Sequence, residues 1–308
     1  MRKLYFILGC TASGKGGVGR ELAKRLGAEI VSVDSMKIYR RMDIGTAKPA
    51  AAVRAAIPHH CLDIVEPSES FSVARFLEYA DRAVEQIRAA GHVPLAVGGT
   101  SLYIKAMSEG LFEGPAADPV VRQRLLQRAE AEGLGALHAE LAWKDPRAAE
   151  RIHPNDAKRI FRALEVHHAT GLPISELQQQ WDVGAGKYDC VMIGLRRTKE
   201  DLHGRINQRV RKMVEAGLRD EVARLLAEPV AVSLQAAQAV GYAEMFEHLR
   251  GRCTLEDAVE AIKINTRRLA KKQRSWHRRW TKVQWFDCRP SDTPEDTAHQ
   301  ILERVRFE

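Results

Sequence analysis

The stretch GCTASGKGGVG, Gly9 to Gly19, decides the fold. Gly9, Cys10, Thr11, Ala12, Ser13, Gly14 and Lys15 satisfy the first seven places of the phosphate-loop pattern G-x-x-x-x-G-K-[ST], but the eighth is Gly16, where a hydroxyl is usual. In such a loop the glycines let backbone N–H groups approach phosphate oxygens, the helix start favours negative charge, and the lysine adds a point cation. The usual Ser or Thr ligates Mg²⁺, which glycine cannot do. Gly16, Gly17 and Gly19 each weaken the first helical turns by about 1 kcal/mol relative to alanine, a burden a functionless turn has little reason to carry. The bland alternative is a glycine-rich turn and nothing more.

The flanking residues set this loop in a strand–loop–helix unit. KLYFIL (3–8) is a short apolar run of the kind found in buried parallel strands, and Val18, Leu22 and Leu26 recur at helical spacing. AEIVSVDS (28–35) predicts a second strand with Asp34 at its carboxyl end, and 72–91 a helix ending at Gly91. HVPLAVGGT (92–100) predicts a third strand that breaks at Gly98-Gly99-Thr100. The alternation predicts an α/β fold, a P-loop NTPase-like doubly wound parallel sheet. Ligands of such sheets bind at the carboxyl ends of the strands, so Lys15, Asp34 and Thr100 are expected to converge on one crevice. Taken alone, Asp34 suits a metal ligand or a general base, with a turn cap as the bland alternative, and Thr100 a hydroxyl facing the crevice, with a turn threonine as its bland alternative.

From about residue 115 to 184 there is no strand signal; Asn155-Asp156 opens a helix that Gly171 closes, and the segment reads as an all-helical insertion domain. YDCVMIGL (188–195) returns to strand, helices fill 199–227 and 255–280, and VQWFDC (283–288) is the last expected strand. The expected division is thus a core of 1–114 and 185–308 interrupted by 115–184. Arg205 and Arg209 stand at i, i+4, a spacing that also suits a solvated helix face.

The chain has 308 residues, 45% apolar and 29% charged, as in ordinary globular proteins. No stretch approaches the roughly 18 apolar residues of a membrane helix, so no membrane partner is expected. Five scattered cysteines without a C-x-x-C pair argue against disulfides or zinc and for a cytoplasmic setting. The net charge of +8 admits an anionic partner. Between Lys263 and Lys282 there are nine Lys or Arg and no acid. Arg267, Lys271, Arg274 and Arg278 follow one helix face, while Leu269, Trp276 and Trp280 form a narrow apolar stripe expected to dock on the core. Such a face binds a phosphate backbone, although a solvated charged face is the simpler alternative.

These segments resemble a known family. GCTASGKG, VSVDSMKIYRRMDIGTAKP (31–49), PHHCLDIVEPSESFSVARF (58–76), VGGTSLYIKAMSEGL (97–111), RIHPNDAKRIFRALEV (151–166), QAVGYAEM (238–245) and TRRLAKKQRSW (266–276) are similar, in order, to the signature blocks of tRNA dimethylallyltransferases, or tRNA isopentenyltransferases. The resemblance covers nearly the whole chain. It implies transfer of a dimethylallyl group from dimethylallyl diphosphate to N6 of the adenosine 3′ of the anticodon, in tRNAs reading codons that begin with U. The loop from Gly9 to Gly16 would then hold a diphosphate with Mg²⁺. Asp34 matches the general base on the adenine amine, Thr100 the threonine at the bridging oxygen, and Arg209 an arginine on the diphosphate, with Lys15 beside them.

The family's tRNA contacts map onto Asp34, Ser35, Met36 and Lys37, onto Lys158, Arg159, Ile160, Phe161 and Arg162, and onto Ala237 to Tyr242, including Gly241. Thr266, Arg267, Arg268, Lys271, Lys272 and Gln273 follow, with Thr100 and Arg122 at the channel. The insertion is expected to grip the anticodon stem-loop, and the protein to be a monomer. Two departures stand out. Gly16 replaces the family's usual threonine, leaving Mg²⁺ to water, Thr11 or Ser13, and Ala243 follows VGY where Lys or Arg is usual.

Three alternatives stay open at this level. A small-molecule kinase would transfer from ATP and need no basic helix. A prenyl transferase acting on free adenine nucleotides would lack the insertion. A degenerate RNA-binding protein would keep the fold without turnover.

Overall fold

The computed structural model describes residues 3–110, 114–115, 118–178 and 187–307. Six parallel strands run β1 Lys3–Gly9, β2 Ala28–Val33, β3 His59–His60, β4 Val93–Gly98, β5 Asp189–Arg196 and β6 Val283–Asp287. They lie in the order β3-β2-β4-β1-β5-β6. Strand β1 sits between β4 and β5, with Tyr5 paired to Leu95 on one side and to Val191 on the other. The alternation of its side chains builds both layers at once. Leu4, Phe6 and Leu8 enter one core and Tyr5 and Ile7 the other, all essentially inaccessible to water. This is why the strand reads as a continuous apolar run rather than an alternating one.

Helices cover both faces. Helix α1 (Lys15–Leu26) places Val18 and Leu22 on the Tyr5 side. Helix α2 (Ala51–Ala56) is short and has no buried residue. Helix α3 (Val73–Ala89) fills the opposite side with Phe76, Ala80, Val84 and Ile87, its start capped by the Ser72 hydroxyl accepting from Arg75 N. Helix α4 (Ser101–Glu109) leaves the end of β4. The fold is α/β with a parallel sheet core and an inserted helical segment.

The chain divides into two compact units, Met1–Ser108 with Tyr188–Glu308, and Glu109–Lys187. The second is helical among its described residues: α5 Pro119–Glu132, α6 Leu134–Lys144, α7 Pro146–Arg151, α8 Ala157–Thr170 and α9 Ile174–Leu177. Its core gathers Leu125, Leu137, Leu141, Ile160, Phe161, Leu164 and Ile174. Aspartates start three of its helices: Asp118 accepts from Val120 N, Asp145 from Ala148 N and Asp156 from Arg159 N. Asp145, 2% exposed, also accepts from the Ser175 amide at 2.8 Å, tying α9 to the start of α7.

In the larger unit the stretch 199–227 is two helices, α10 Lys199–Glu215 and α11 Leu218–Leu226. They part at Gly217, whose φ of 92° interrupts the helix. The short helices α12 Leu234–Ala237 and α13 Tyr242–Leu249 precede α14 Leu255–His277, and α15 Pro294–Arg304 follows β6. Helix α14 docks differently from the expectation. Its seam is Ala258, Ile262, Thr266, Ala270 and His277; of the expected stripe Trp280 packs against the core, whereas Leu269 is 38% exposed. This seam packs chiefly against α10 and α13, and Leu269 falls off it. Among the described residues no helix is long and apolar enough to cross a membrane.

Candidate functional site

The phosphate loop joins β1 to α1, and its carbonyls are held from outside. Lys15 Nζ donates to Cys10 O at 3.2 Å, Arg205 Nε to Ala12 O at 2.9 Å and Arg197 Nε to Ser13 O at 2.7 Å. Arg197 is itself fixed by Asp201 Oδ2 at 2.8 Å and Arg289 O at 2.9 Å. Thr11 N donates to Gln273 Oε1 at 2.7 Å, while Gln273 Nε2 donates to Gly99 O at 2.8 Å. One glutamine amide therefore joins the phosphate loop to the turn after β4. With the carbonyls bound away, the first N–H groups of α1, which have no intrahelical acceptor, remain for a ligand.

A cavity of about 1020 Å³ opens over this loop, within the larger unit. Thr11, Lys15, Asp34, Ser35, Thr100 and Arg209 all line it, so the convergence expected at the strand ends is present. Asp34 follows β2, and its Oδ1 accepts from Met36 N at 2.9 Å and Lys37 N at 3.3 Å. That is the turn-capping role, and it fills one oxygen only; Oδ2 receives no donor among the described residues. Thr100 Oγ1 accepts from Ser35 N at 3.0 Å, and Gly99 N and Thr100 N both donate to Val33 O. The turn after β4 thus holds the turn after β2, with Asp34 and Thr100 on the wall of one cavity.

The charge on this wall is one-sided. Lys15, Arg20, Lys37, Lys48, Arg205, Arg209, Lys212 and Lys272 line the cavity against Asp34 and Asp43, and Asp43 is already paired with Lys48. Burial, with Lys37 and Arg209 nearby, lowers Lys15 to a pKa of about 8 against the opposing pull of Asp34. Burial likewise lowers Lys37 and Arg209, with Asp34 again opposing. Arg209 makes one weak bond, Nη2 to Thr46 O at 3.4 Å, and no ion pair among the described residues. Crowded cations without protein counter-ions are stable only with an anionic ligand or abundant water.

Of the hydroxyls expected to hold Mg²⁺ in this loop, the structure leaves only Thr11 in a position to do so. Position 16 offers no ligand. The Ser13 hydroxyl, expected as a substitute, is 2% exposed, lacks a partner and packs under the loop where a Cβ at Gly9 would strike it. Thr11 alone of the two faces the cavity. Among the described residues no group of three His, Cys, Asp or Glu could hold a metal. Two of the loop glycines also have packing reasons. A Cβ at Gly17 would come within 3.0 Å of Pro294, and one at Gly19 within 2.8 Å of Val97, so their helix penalty is not a mark of function.

Several expected RNA contacts have no side chain to offer. Ile160 and Phe161 lie in the helical core at 0% and 5% exposure, and Tyr242, at 0%, donates its hydroxyl to Glu221. Thr266 sits in the α14 seam with little exposure, yet it lines the cavity. Arg267, expected on the outer basic face, is half-buried and donates to Asn207 Oδ1 at 2.6 Å, and Gln273 is spent on its bridge. Gly241 starts α13, with its N–H on Glu244. Arg268, Lys271 and Lys272 remain exposed on α14, and Lys272 reaches the cavity wall. In the helical unit Arg122 forms a two-pronged pair with buried Glu165, Nη2 to Oε2 at 2.8 Å. Arg159 pairs with Asp156, Arg162 donates to Pro115 O at 2.9 Å, and Lys158 stands in the first turn of α8.

Sequence reasoning missed Arg20, Arg197 and Glu221. The last, 5% exposed, accepts the N–H groups of Asp43, Ile44 and Gly45 and so shapes the cavity wall. No local pattern marks it, because its partners lie far away in the chain.

Comparison with known proteins accords with this geometry. The family profile described as IPP transferase matches residues 37–280, and the one described as isopentenyl transferase matches residues 2–57. The chain is 44% identical over 285 residues to a tRNA dimethylallyltransferase of Geobacter sulfurreducens, covering 92% of each. It is 45% identical over 302 residues to one of Syntrophobacter fumaroxidans, covering 98% of this chain and 86% of that protein. A full-length tRNA isopentenylpyrophosphate transferase of Bacillus halodurans superposes with a TM-score of 0.72 at 41% identity, over 98% of this chain and 96% of the other. A eukaryotic dimethylallyltransferase acting on tRNA superposes with a TM-score of 0.79 at 28% identity, over 93% and 74%.

Proposed function

The chain belongs to the tRNA dimethylallyltransferase family and is a prenyl transferase acting on tRNA; within that activity we propose that it alkylates N6 of the adenosine 3′ of the anticodon, in tRNAs reading codons that begin with U. The observation that carries the reading is the cavity wall itself. One carboxylate, Asp34, with an oxygen left over, stands among cations at the carboxyl ends of β2, β4 and β1.

The chemistry assigns the roles. An exocyclic adenine amine is a weak nucleophile because its lone pair is delocalised into the ring. Asp34 takes its proton as the N6–carbon bond forms, while the carbon–oxygen bond to diphosphate breaks and both electrons leave with the oxygen. Lys15, Arg209, Lys37 and the α1 amides stabilise the charge that collects on the departing diphosphate. Thr100 is held by the Ser35 amide, and its own proton makes only a long bond of 3.5 Å to Ser35 Oγ, which it exchanges for the leaving group. No step is assigned to Mg²⁺, since the loop lacks its usual hydroxyl.

The target base must leave its stack to reach Asp34. The exposed Arg268, Lys271 and Lys272 on α14 supply phosphate-backbone contacts, and Lys158, Arg159 and Arg162 are the side chains left for this role in the helical unit. The test mixes the protein with dimethylallyl diphosphate, Mg²⁺ and an unmodified anticodon stem-loop carrying adenines after the anticodon, with AMP alongside. The reading predicts that the RNA gains the mass of one dimethylallyl group at that adenine. Gain on AMP alone would move the protein to free-nucleotide prenylation, and gain on neither would end the reading.

A further inference from the structure

Gly16 is unlike the other two glycines of the loop. Nothing packs against it that a side chain would displace. The one atom a Cβ there would meet within 4 Å is Arg20 Nη1, at 3.6 Å, an ordinary contact. Arg20 stands one helical turn further along α1, so residues 16 and 20 share a face. Its guanidinium looks into the cavity: it is part of the wall, and its charge lowers the pKa of both Lys37 and His59. It makes no hydrogen bond or ion pair with any described residue. The cavity therefore holds an uncommitted guanidinium at the place where the loop lacks its hydroxyl.

A phosphate loop ordinarily places a metal charge there through that hydroxyl. A guanidinium is always charged and presents paired N–H groups that match two phosphate oxygens. We propose that Arg20, lying over the bare backbone of Gly16, is a direct diphosphate ligand that supplies the charge an ordinary loop obtains from its hydroxyl-held Mg²⁺, so that this chain binds diphosphate without the metal. The proposal rests on reading the cavity as a diphosphate site. It departs from that reading in which group carries the charge.

Titration calorimetry with inorganic pyrophosphate, on the full chain in EDTA and in excess MgCl₂, tests it. Wild type is expected to bind within about threefold of the same affinity in both buffers, and Arg20→Ala to lose about tenfold or more in EDTA, the scale of a charged hydrogen-bonded contact. Arg20→Lys, which keeps the charge without the fork, should recover part of the loss. Thermal melting without ligand shows that each variant is folded. Wild-type binding that needs Mg²⁺, or folded Arg20→Ala that binds like wild type in EDTA, overturns the role of Arg20 while leaving the diphosphate site standing. Wild type that binds in neither buffer removes the site, and both readings fall together.

Discussion

The cavity of the larger unit and the helical unit use the same residue types in opposite ways. In the helical unit Arg122, Arg128 and Arg159 come with acids. Arg122 grips Glu165, Arg128 spans Glu132 and Glu140, and Lys144 also meets Glu140. In the cavity the side chains of Arg20 and Lys37 make no hydrogen bond or ion pair among the described residues, and Arg209 has one long bond to a carbonyl. The first arrangement completes itself: removing Arg122 leaves the buried Glu165 carboxylate unpaired and costs stability. The second is incomplete until an anion arrives. Pairing, rather than charge, separates the cations that hold the fold from those that serve a ligand.

The largest effect expected falls on the one acid of the site that lacks an ion pair. Asp34→Asn should keep the turn, since its amide oxygen can still accept from Met36 and Lys37, yet lower single-turnover transfer by about 10³-fold, within the usual range for general bases. Transfer at the wild-type rate would take the base role away from Asp34. The next tests the crowding of the cations. Because Lys15 sits near pKa 8 and a bound anion favours its charged form, pyrophosphate affinity should fall as pH rises past about 8, by up to about tenfold per unit. Calorimetry between pH 7 and 9.5 reads this, with Lys15→Arg as the control. That variant stays charged and should flatten the slope; an equal slope in both would assign the titration elsewhere.

The smallest effect concerns the exposed basic face. Replacing Lys271 and Lys272 by alanine should reduce the slope of log affinity for tRNA against log salt by about 1 to 2, the yield of two lost phosphate contacts. An unchanged slope would make that face a solvated surface.

Much of this was legible in the sequence because it is local. Strands β1, β2 and β4 announce themselves as apolar runs ending at Gly9, Asp34 and Gly98, and the parallel order then brings Lys15, Asp34 and Thr100 together without further information. What was not legible depends on distant partners. The bond from Gln273 to Thr11 spans 262 positions and that from Arg197 to Ser13 spans 184, and neither residue type announces such a contact. The α14 seam differs from the expectation because helical periodicity alone favours bulky Leu269, whereas packing against the distant helices α10 and α13 buries Thr266 and Ala270. Gly17 and Gly19 resemble functional glycines until Pro294 and Val97 are seen beside them. His59–His60 forms a strand too short to carry any period.

The most direct measurement sets Arg209 against Arg122. Each would be changed to alanine, and pyrophosphate calorimetry and thermal melting run on both. The account predicts that Arg209→Ala loses about tenfold or more in pyrophosphate affinity with its melting midpoint nearly unmoved. Arg122→Ala should bind pyrophosphate like wild type and lose stability, by about 2 to 3 kcal/mol because the pair is partly exposed. A destabilised Arg209→Ala with normal affinity, or an Arg122→Ala that binds poorly and melts normally, would contradict it.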